Sequence, residues 1–324
     1  MALKTDKAVE VFTASILHKA NDKDIEIEEA RQAIRTLAQT PSPANRWEIA
    51  QIMGFVIDNV LAERMNYLDY IADVKNVGMG EKAQFAIELD GLQAFIIAKG
   101  ATVERSKVLN KYITVDTEAV GIRPFVNFTE LASGKVNFDR LAVQAADKME
   151  QKMIQRIEAV LYSAFAGYAA PNYASGSAVV PATFDQQLRA FQRYGDVSIV
   201  GDIDVISQLT SLTGFNNVVA DPLMVEHNQN GFIGTYKGAN VVKLINPFAD
   251  ANMSGTVLRN DLLYIVPSGD PAMRPLKVVF EGGIQSMDQT NINDLSYEMR
   301  FDRLFGVGIA AGVNLLGVYE DTSI

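Results

Sequence analysis

The chain has 324 residues, 48% of them hydrophobic and 21% charged, which is the composition of a globular protein of about two domains and excludes a small stapled scaffold or a disordered chain. The absence of cysteine excludes disulfides, thiolate metal sites, iron–sulfur clusters and cysteine nucleophiles, and fits folding in a reducing cytoplasm. With 39 acidic against 29 basic residues and a formal charge of -10, a protein built to grip phosphates is not expected. The segment 1–7 has no apolar core of a secretory signal. The longest uncharged apolar stretch, 306–318, is interrupted by glycines and falls short of the ~20 residues of a spanning helix, so no membrane partner is expected.

Residues 5–40 read as two short helices, with Val9, Phe12, Ile16 and Leu17 on one face of the first and Ile27, Ala30, Ile34 and Leu37 on one face of the second. The acidic residues between them, Asp22, Asp24, Glu26, Glu28 and Glu29, complement the dipole of a helix start. Calcium binding is the weaker reading, because the glycine and spacing of an EF-hand loop are missing. Thr40-Pro41-Ser42-Pro43 breaks the chain, with Ser42 as N-cap and Pro43 in the first helical position. A third helix is predicted to run to about Ile71, burying Trp47, Ile49, Ile52, Met53, Val56, Val60 and Leu61.

Over 84–130 the pattern changes to strands. Phe85, Ile87 and Leu89 alternate with polar residues, and Tyr112, Ile113, Val115 and Thr117 return in the same chemistry, which predicts a long two-stranded arm. Such a ribbon has only two faces and cannot cover Leu92, Phe95, Ile96, Ile97 and Val103 by itself. These five residues are the intersubunit arm candidates.

From Asn137, the predicted N-cap, Phe138, Leu141, Ala145, Met149, Met153, Ile157, Val160 and Ala164 recur at helical spacing up to a stop at Gly167. A helix over 137–166 would be roughly 45 Å long, a spine rather than a packing helix. Residues 168–182 read as a loop or junction. A mixed α/β region follows, with strands at 197–200, 239–244 and 262–266 and a helix at 203–212. Strands return at 276–280 and over 296–318, where Gly306, Gly308, Gly312 and Gly317 suggest bends or close backbone approach.

Catalytic patterns are weak. His18 and His227 are the only histidines and stand in no metal-ligand spacing. The run 78–83 matches a G-x-G-x-x-A dinucleotide fingerprint, but 66–74 before it has a helical pattern; the run 306–311 matches too, but too few residues follow for a βαβ unit. Asp202 and Asp204 sit where a helix N-cap belongs rather than in a metal pair. Neither a nucleophile elbow nor a P-loop is present, so no catalytic, cofactor-binding or metal-binding residue is expected, and no cofactor.

The order of these elements is that of a known family. The run 126–139, Val126-Asn127-Phe128-Thr129 onward into Asn137-Phe138-Asp139, resembles a strand leading from an extended loop into a spine helix. The run 196–212 resembles an axial-domain strand and helix, 231–242 a turn and strand placing a loop near a symmetry axis, and 296–309 a late peripheral-domain strand. From about residue 44 onward the chain resembles the major capsid protein of tailed double-stranded DNA bacteriophages.

That resemblance implies an α+β fold: an N-terminal arm at 1–43, a helix region at 44–83, an extended loop at 84–130, a peripheral domain at 131–180 and 276–324, and an axial domain at 181–275. The chain starts at Met1, so residues 1–43 are expected to be retained. It also implies a structural, non-enzymatic protein of the virion, assembled in the host cytoplasm into hexamers and pentamers around double-stranded DNA that it does not bind tightly. Scaffolding, portal and decoration proteins are implied partners. A nanocompartment shell around protein cargo is the alternative within the fold, and a dinucleotide-dependent oxidoreductase the alternative outside it. Some relatives cross-link lysine to asparagine; Lys82, Lys99, Lys107, Lys111, Asn291, Asn293 and Asn314 are available for that, but no cross-linking is expected here.

Overall fold

The computed structural model of the protein describes residues 5–17, 24–40, 42–89, 109–165, 170–193, 195–210, 234–244, 246–248, 252–253, 255–269, 274–291, 296–310 and 317–324. Helix α3 (Pro43–Arg64) starts as expected: the Ser42 hydroxyl accepts the Asn45 amide at 3.2 Å, and Pro43 needs no partner for the N–H it lacks. Its apolar residues are covered by α1 (Thr5–Ile16), the spine helix α6 (Phe138–Phe165) and strand β11 (Leu276–Thr290), while Phe55, Asn59, Ala62 and Glu63 are exposed. Trp47 departs from expectation and is 45% exposed. It lies roughly 160° around the helix from Ile49, outside the stripe of Ile49, Met53, Val56 and Val60.

The described residues of the N-terminal segment, 5–17 and 24–40, are almost wholly helical. Their apolar faces are spent inside the subunit: Phe12 lies 5.2 Å ring to ring from Phe138, and Arg31 of α2 (Asp24–Gln39) holds Asp139 with two nitrogens at 3.0 and 2.5 Å. Asp139 sits in the first turn of α6, whose start is capped by the Asn137 side chain accepting the Asp139 amide at 3.1 Å. The spine has 28 residues, a length of about 42 Å. Gly167 lies outside the described residues.

The first sheet has the order β1-β11-β12-β4. Strand β1 (Ala72–Val77) runs parallel to β11, and β12 (Ser296–Ile309) antiparallel to it; β4 (Glu118–Ile122) and β5 (Phe125–Asn127) pair one after the other with β12, and the short helix α5 (Phe128–Ala132) follows β5. Two expectations are corrected here. Residues 118–122, placed in the extended loop, form a strand of this sheet; 125–127 is a strand, as expected from Val126 onward, and it too pairs with β12. The helical pattern expected over 66–74 gives way after α4 (Leu68–Ile71) to a strand at Ala72, which pairs with β11, and Arg274 donates to the carbonyls of Asp69 and Ala72 at that junction. The glycines at 78–80 therefore do follow a strand, but they lead into another strand rather than a helix, so no phosphate-binding helix start exists there.

The second sheet has the order β6-β13-β10-β7-β9-β8. Strand β6 (Tyr173–Gly176) lies within the stretch read as loop, and β13 (Gly317–Asp321), grouped by sequence with the first sheet, is inserted between β6 and β10 (Leu262–Pro267). β7 (Val197–Gly201), β9 (Ala239–Lys243) and the short β8 (Thr235–Tyr236) complete it. Both faces are buried, and alternate residues sort between them: Leu262, Tyr264 and Val266 join the core around the spine, whereas Leu263 and Ile265 join a core with α7 (Pro181–Gln192) and α8 (Ile203–Thr210). Asp202 caps α8, its carboxylate accepting the Asp204 amide at 2.9 Å.

Candidate assembly site at the base of the hairpin arm

Strand β2 (Gln84–Leu89) pairs antiparallel with β3 (Leu109–Thr114), from Gln84 opposite Thr114 to Leu89 opposite Leu109. The predicted arm thus has a two-stranded stem. Leu92, Phe95, Ile96, Ile97 and Val103 lie outside the described residues; the stem brings the two ends of their segment side by side.

The stem is fixed at its root. Phe85 is fully buried with Ala83, Val115 and Val279, and the Lys75 and Lys277 ammonium groups lie 4.6 and 5.6 Å from the centre of its ring. Lys75 also donates to the Gln84 carbonyl at 2.6 Å. Lys277, with no exposed side-chain surface, is paired to Asp73 at 2.9 Å.

One carboxylate touches both legs of the arm. Glu281 accepts the Gly80 amide at 2.7 Å from the leg entering the arm and the Thr117 hydroxyl from the leg leaving it. These hydrogen bonds, Thr117 first, hold its carboxyl below the usual glutamate range. Glu281 stands where β11 bulges against β12, between Glu281 and Gln285, and Gly282 takes a positive φ of 62° there. The returning leg packs directly on β12: a side-chain carbon added at Gly306 would come within 2.7 Å of the Asp116 carbonyl, and one at Gly308 within 2.9 Å of Val115. The close approach predicted from these glycines is realised, and the fingerprint at 306–311 begins inside a strand.

At the far end of the second sheet, Lys237 and Gly238 form the β8–β9 turn with φ of 47° and 86°. The Lys237 ammonium pairs with Asp185 on α7, and the Tyr236 hydroxyl donates to the same carboxylate at 3.0 Å. This is the turn and strand expected at 231–242; residues 231–233 lie outside the described residues, as do His18 and His227. Among the described residues, no group of histidine, aspartate and glutamate could hold a metal ion, and no helix is long and apolar enough to cross a membrane. Glu281 was not singled out from sequence, where an isolated acid in a polar strand carries no local signal; Thr117 and Gly80 stood there only as part of a strand pattern and of a glycine fingerprint.

Two sheets joined by a long spine helix, with a hairpin arm rooted on the first, define the major capsid fold of tailed phages. Over residues 2–320 the chain matches the family described as "SPbeta prophage-derived putative capsid protein YonB", and it belongs to that family. Solved structures agree in fold. A structure from Mycobacterium phage Che8 has a TM-score of 0.52 at 13% identity, covering 76% of this chain and 86% of that one. The capsid of an empty GTA particle gives 0.53 at 13% identity, covering 78% and 88%. The satellite phage P4 procapsid, which includes a size determination protein, gives 0.51 at 9% identity, covering 82% and 89%. No curated protein matches the chain. The protein is a structural major capsid protein that associates with its own copies in a shell, and its place is the virion.

Proposed function

We propose that the chain forms the hexamers and pentamers of an icosahedral head enclosing double-stranded DNA, assembled in the host cytoplasm and without catalytic activity. The first sheet with the spine serves as the peripheral domain and the second sheet as the axial domain. The observation that carries this reading is the rooted hairpin: both legs of the arm are tied to one carboxylate, Glu281, while the apolar residues of 90–108 exceed what a ribbon covers. They are satisfied by a neighbouring subunit. The -10 charge suits a lumen that confines DNA without gripping it. Scaffolding, portal and decoration proteins are the expected further partners; the size determination protein in the P4 procapsid supports the first of these.

Electron microscopy and sedimentation of the purified protein test the proposal. Closed shells in the megadalton range that protect DNA from nuclease are expected. A small oligomer would overturn it, and shells filled with protein instead of DNA would mark a nanocompartment.

A further inference from the structure

A groove of about 700 Å³ runs between α1 and α3. Its walls are the two helix faces from Asp6 to Leu17 and from Phe55 to Asn66, each roughly 16 Å long. Its apolar lining includes Val9, Leu17 and Phe55, beside the polar Thr13, Asn59 and Asn66, and Phe55 is 51% exposed. The charged side chains of the lining, Asp6, Glu10 and Glu63, are all acidic.

We propose that this groove receives the arm of a second copy of the chain, with the segment 95–99 lying along it. This rests on the reading that the arm docks on a neighbour, and it names where. The segment is Phe95-Ile96-Ile97-Ala98-Lys99, three large apolar residues and then a cation, and Arg105, Lys107 and Lys111 follow with only Glu104 against them. In a chain of net charge -10, this is a locally basic and apolar stretch that complements a lining with apolar surface and three acids. A groove of roughly 16 Å holds about five residues of extended chain. The segment 90–108, doubled back, reaches at most roughly 30 Å beyond the stem, enough to cross onto an adjacent subunit.

The natural chain lacks cysteine, so a disulfide reports the contact directly. Phe55→Cys is combined in one chain with Cys substitution at Phe95, Ile96 or Ile97 in turn, and assembled particles are oxidised with oxidised glutathione. The groove proposal expects at least one pair to give a ladder of covalent oligomers on non-reducing gels, collapsed to monomer by dithiothreitol. Shells without any ladder, or a disulfide closed within monomers, would overturn the groove while leaving the shell reading intact. A natural chain that forms no shells would overturn the shell reading itself. For pairs that do not assemble, a charge exchange decides. Glu10→Lys with Glu63→Lys should lower shell yield at least tenfold in 150 mM salt, and adding Lys99→Glu with Arg105→Glu should recover most of it. Normal yield from the groove variant, or no recovery in the combination, would overturn the proposal.

Discussion

Asp73 and Lys277 stand opposite each other on the parallel strands β1 and β11, and their charges meet at 2.9 Å with the lysine side chain wholly enclosed. Removing the carboxylate takes the counter-charge from a fully enclosed ammonium, whereas removing the ammonium leaves an acid that is still 16% exposed and can be hydrated. Asp73→Ala should therefore cost about 3 to 5 kcal/mol, and Lys277→Met clearly less. Denaturant melts of the unassembled subunit would show the order; equal losses would mean that the pair is not enclosed as described.

Glu281 gives a pH dependence with a definite sign. A carboxyl whose folded pKa lies below its unfolded value of about 4.3 contributes stability above that value and loses it as pH falls through the folded pKa. The stem should loosen in acid while the sheet persists. Glu281→Ala should do the same at neutral pH, seen as faster hydrogen exchange at the Gly80 amide after correction for the intrinsic rate. Unchanged protection at Gly80 would contradict the clasp.

Asp321 is fully buried and receives the Ala178 and Ser323 amides at 2.8 Å on one oxygen and the Gln208 side chain at 2.7 Å on the other. Burial pushes its carboxyl up, but these donors prevail and leave it below the usual range. Asp321→Asn must turn an amide NH₂ toward one set of donors, which should cost about 1 to 3 kcal/mol. A calorimetric scan that found the variant as stable as the natural chain would argue against the network.

Gly306→Ala places a methyl against the Asp116 carbonyl, and overpacking of this kind costs about 1 to 3 kcal/mol. Because the methyl pushes on the returning leg of the arm, assembly should suffer more than folding. Circular dichroism should stay near that of the natural chain while sedimentation shows fewer shells.

Phe95, Ile96 and Ile97 replaced together by Ser should leave a soluble, folded subunit or capsomer that does not close into shells. Each apolar side chain buried at an interface contributes roughly 1.5 to 3 kcal/mol, and a closed ring repeats that contribution. Loss of the fold itself would place these residues inside their own subunit.

Local chemistry explains which parts were readable in advance. The Ser42 and Asn137 caps, the spine periodicity and the Asp202 cap depend on neighbours a few residues away, and they stand where expected. Strand β1 and the second half of β11 depend on distant partners: Glu-Gly-Gly-Ile-Gln-Ser-Met-Asp-Gln-Thr, residues 281–290, is mostly polar and becomes a strand because β12 pairs with it at Glu281 and again, past the bulge, from Gln285 to Thr290. Helix α7 did carry a signal, Pro181 followed by Phe184, Leu188 and Phe191 at helical spacing, and was overlooked in a stretch rich in small residues. The Glu281 clasp joins residues 201 and 164 positions apart, and nothing local reveals it.

The position of β13 in the second sheet also sets a clock. Among the described residues, strand β6 is hydrogen-bonded into that sheet through β13, and the Ala178 amide finds its Ser323 partner 145 residues later in the chain. At a synthesis rate of roughly 5 to 20 residues per second, β6 waits about 7 to 30 s for the strand that attaches it. The first sheet gains β11 and β12 before that moment. A nascent subunit therefore cannot offer a finished second sheet to its neighbours until β13 has emerged, which favours association between subunits that hold both sheets over association between partial ones.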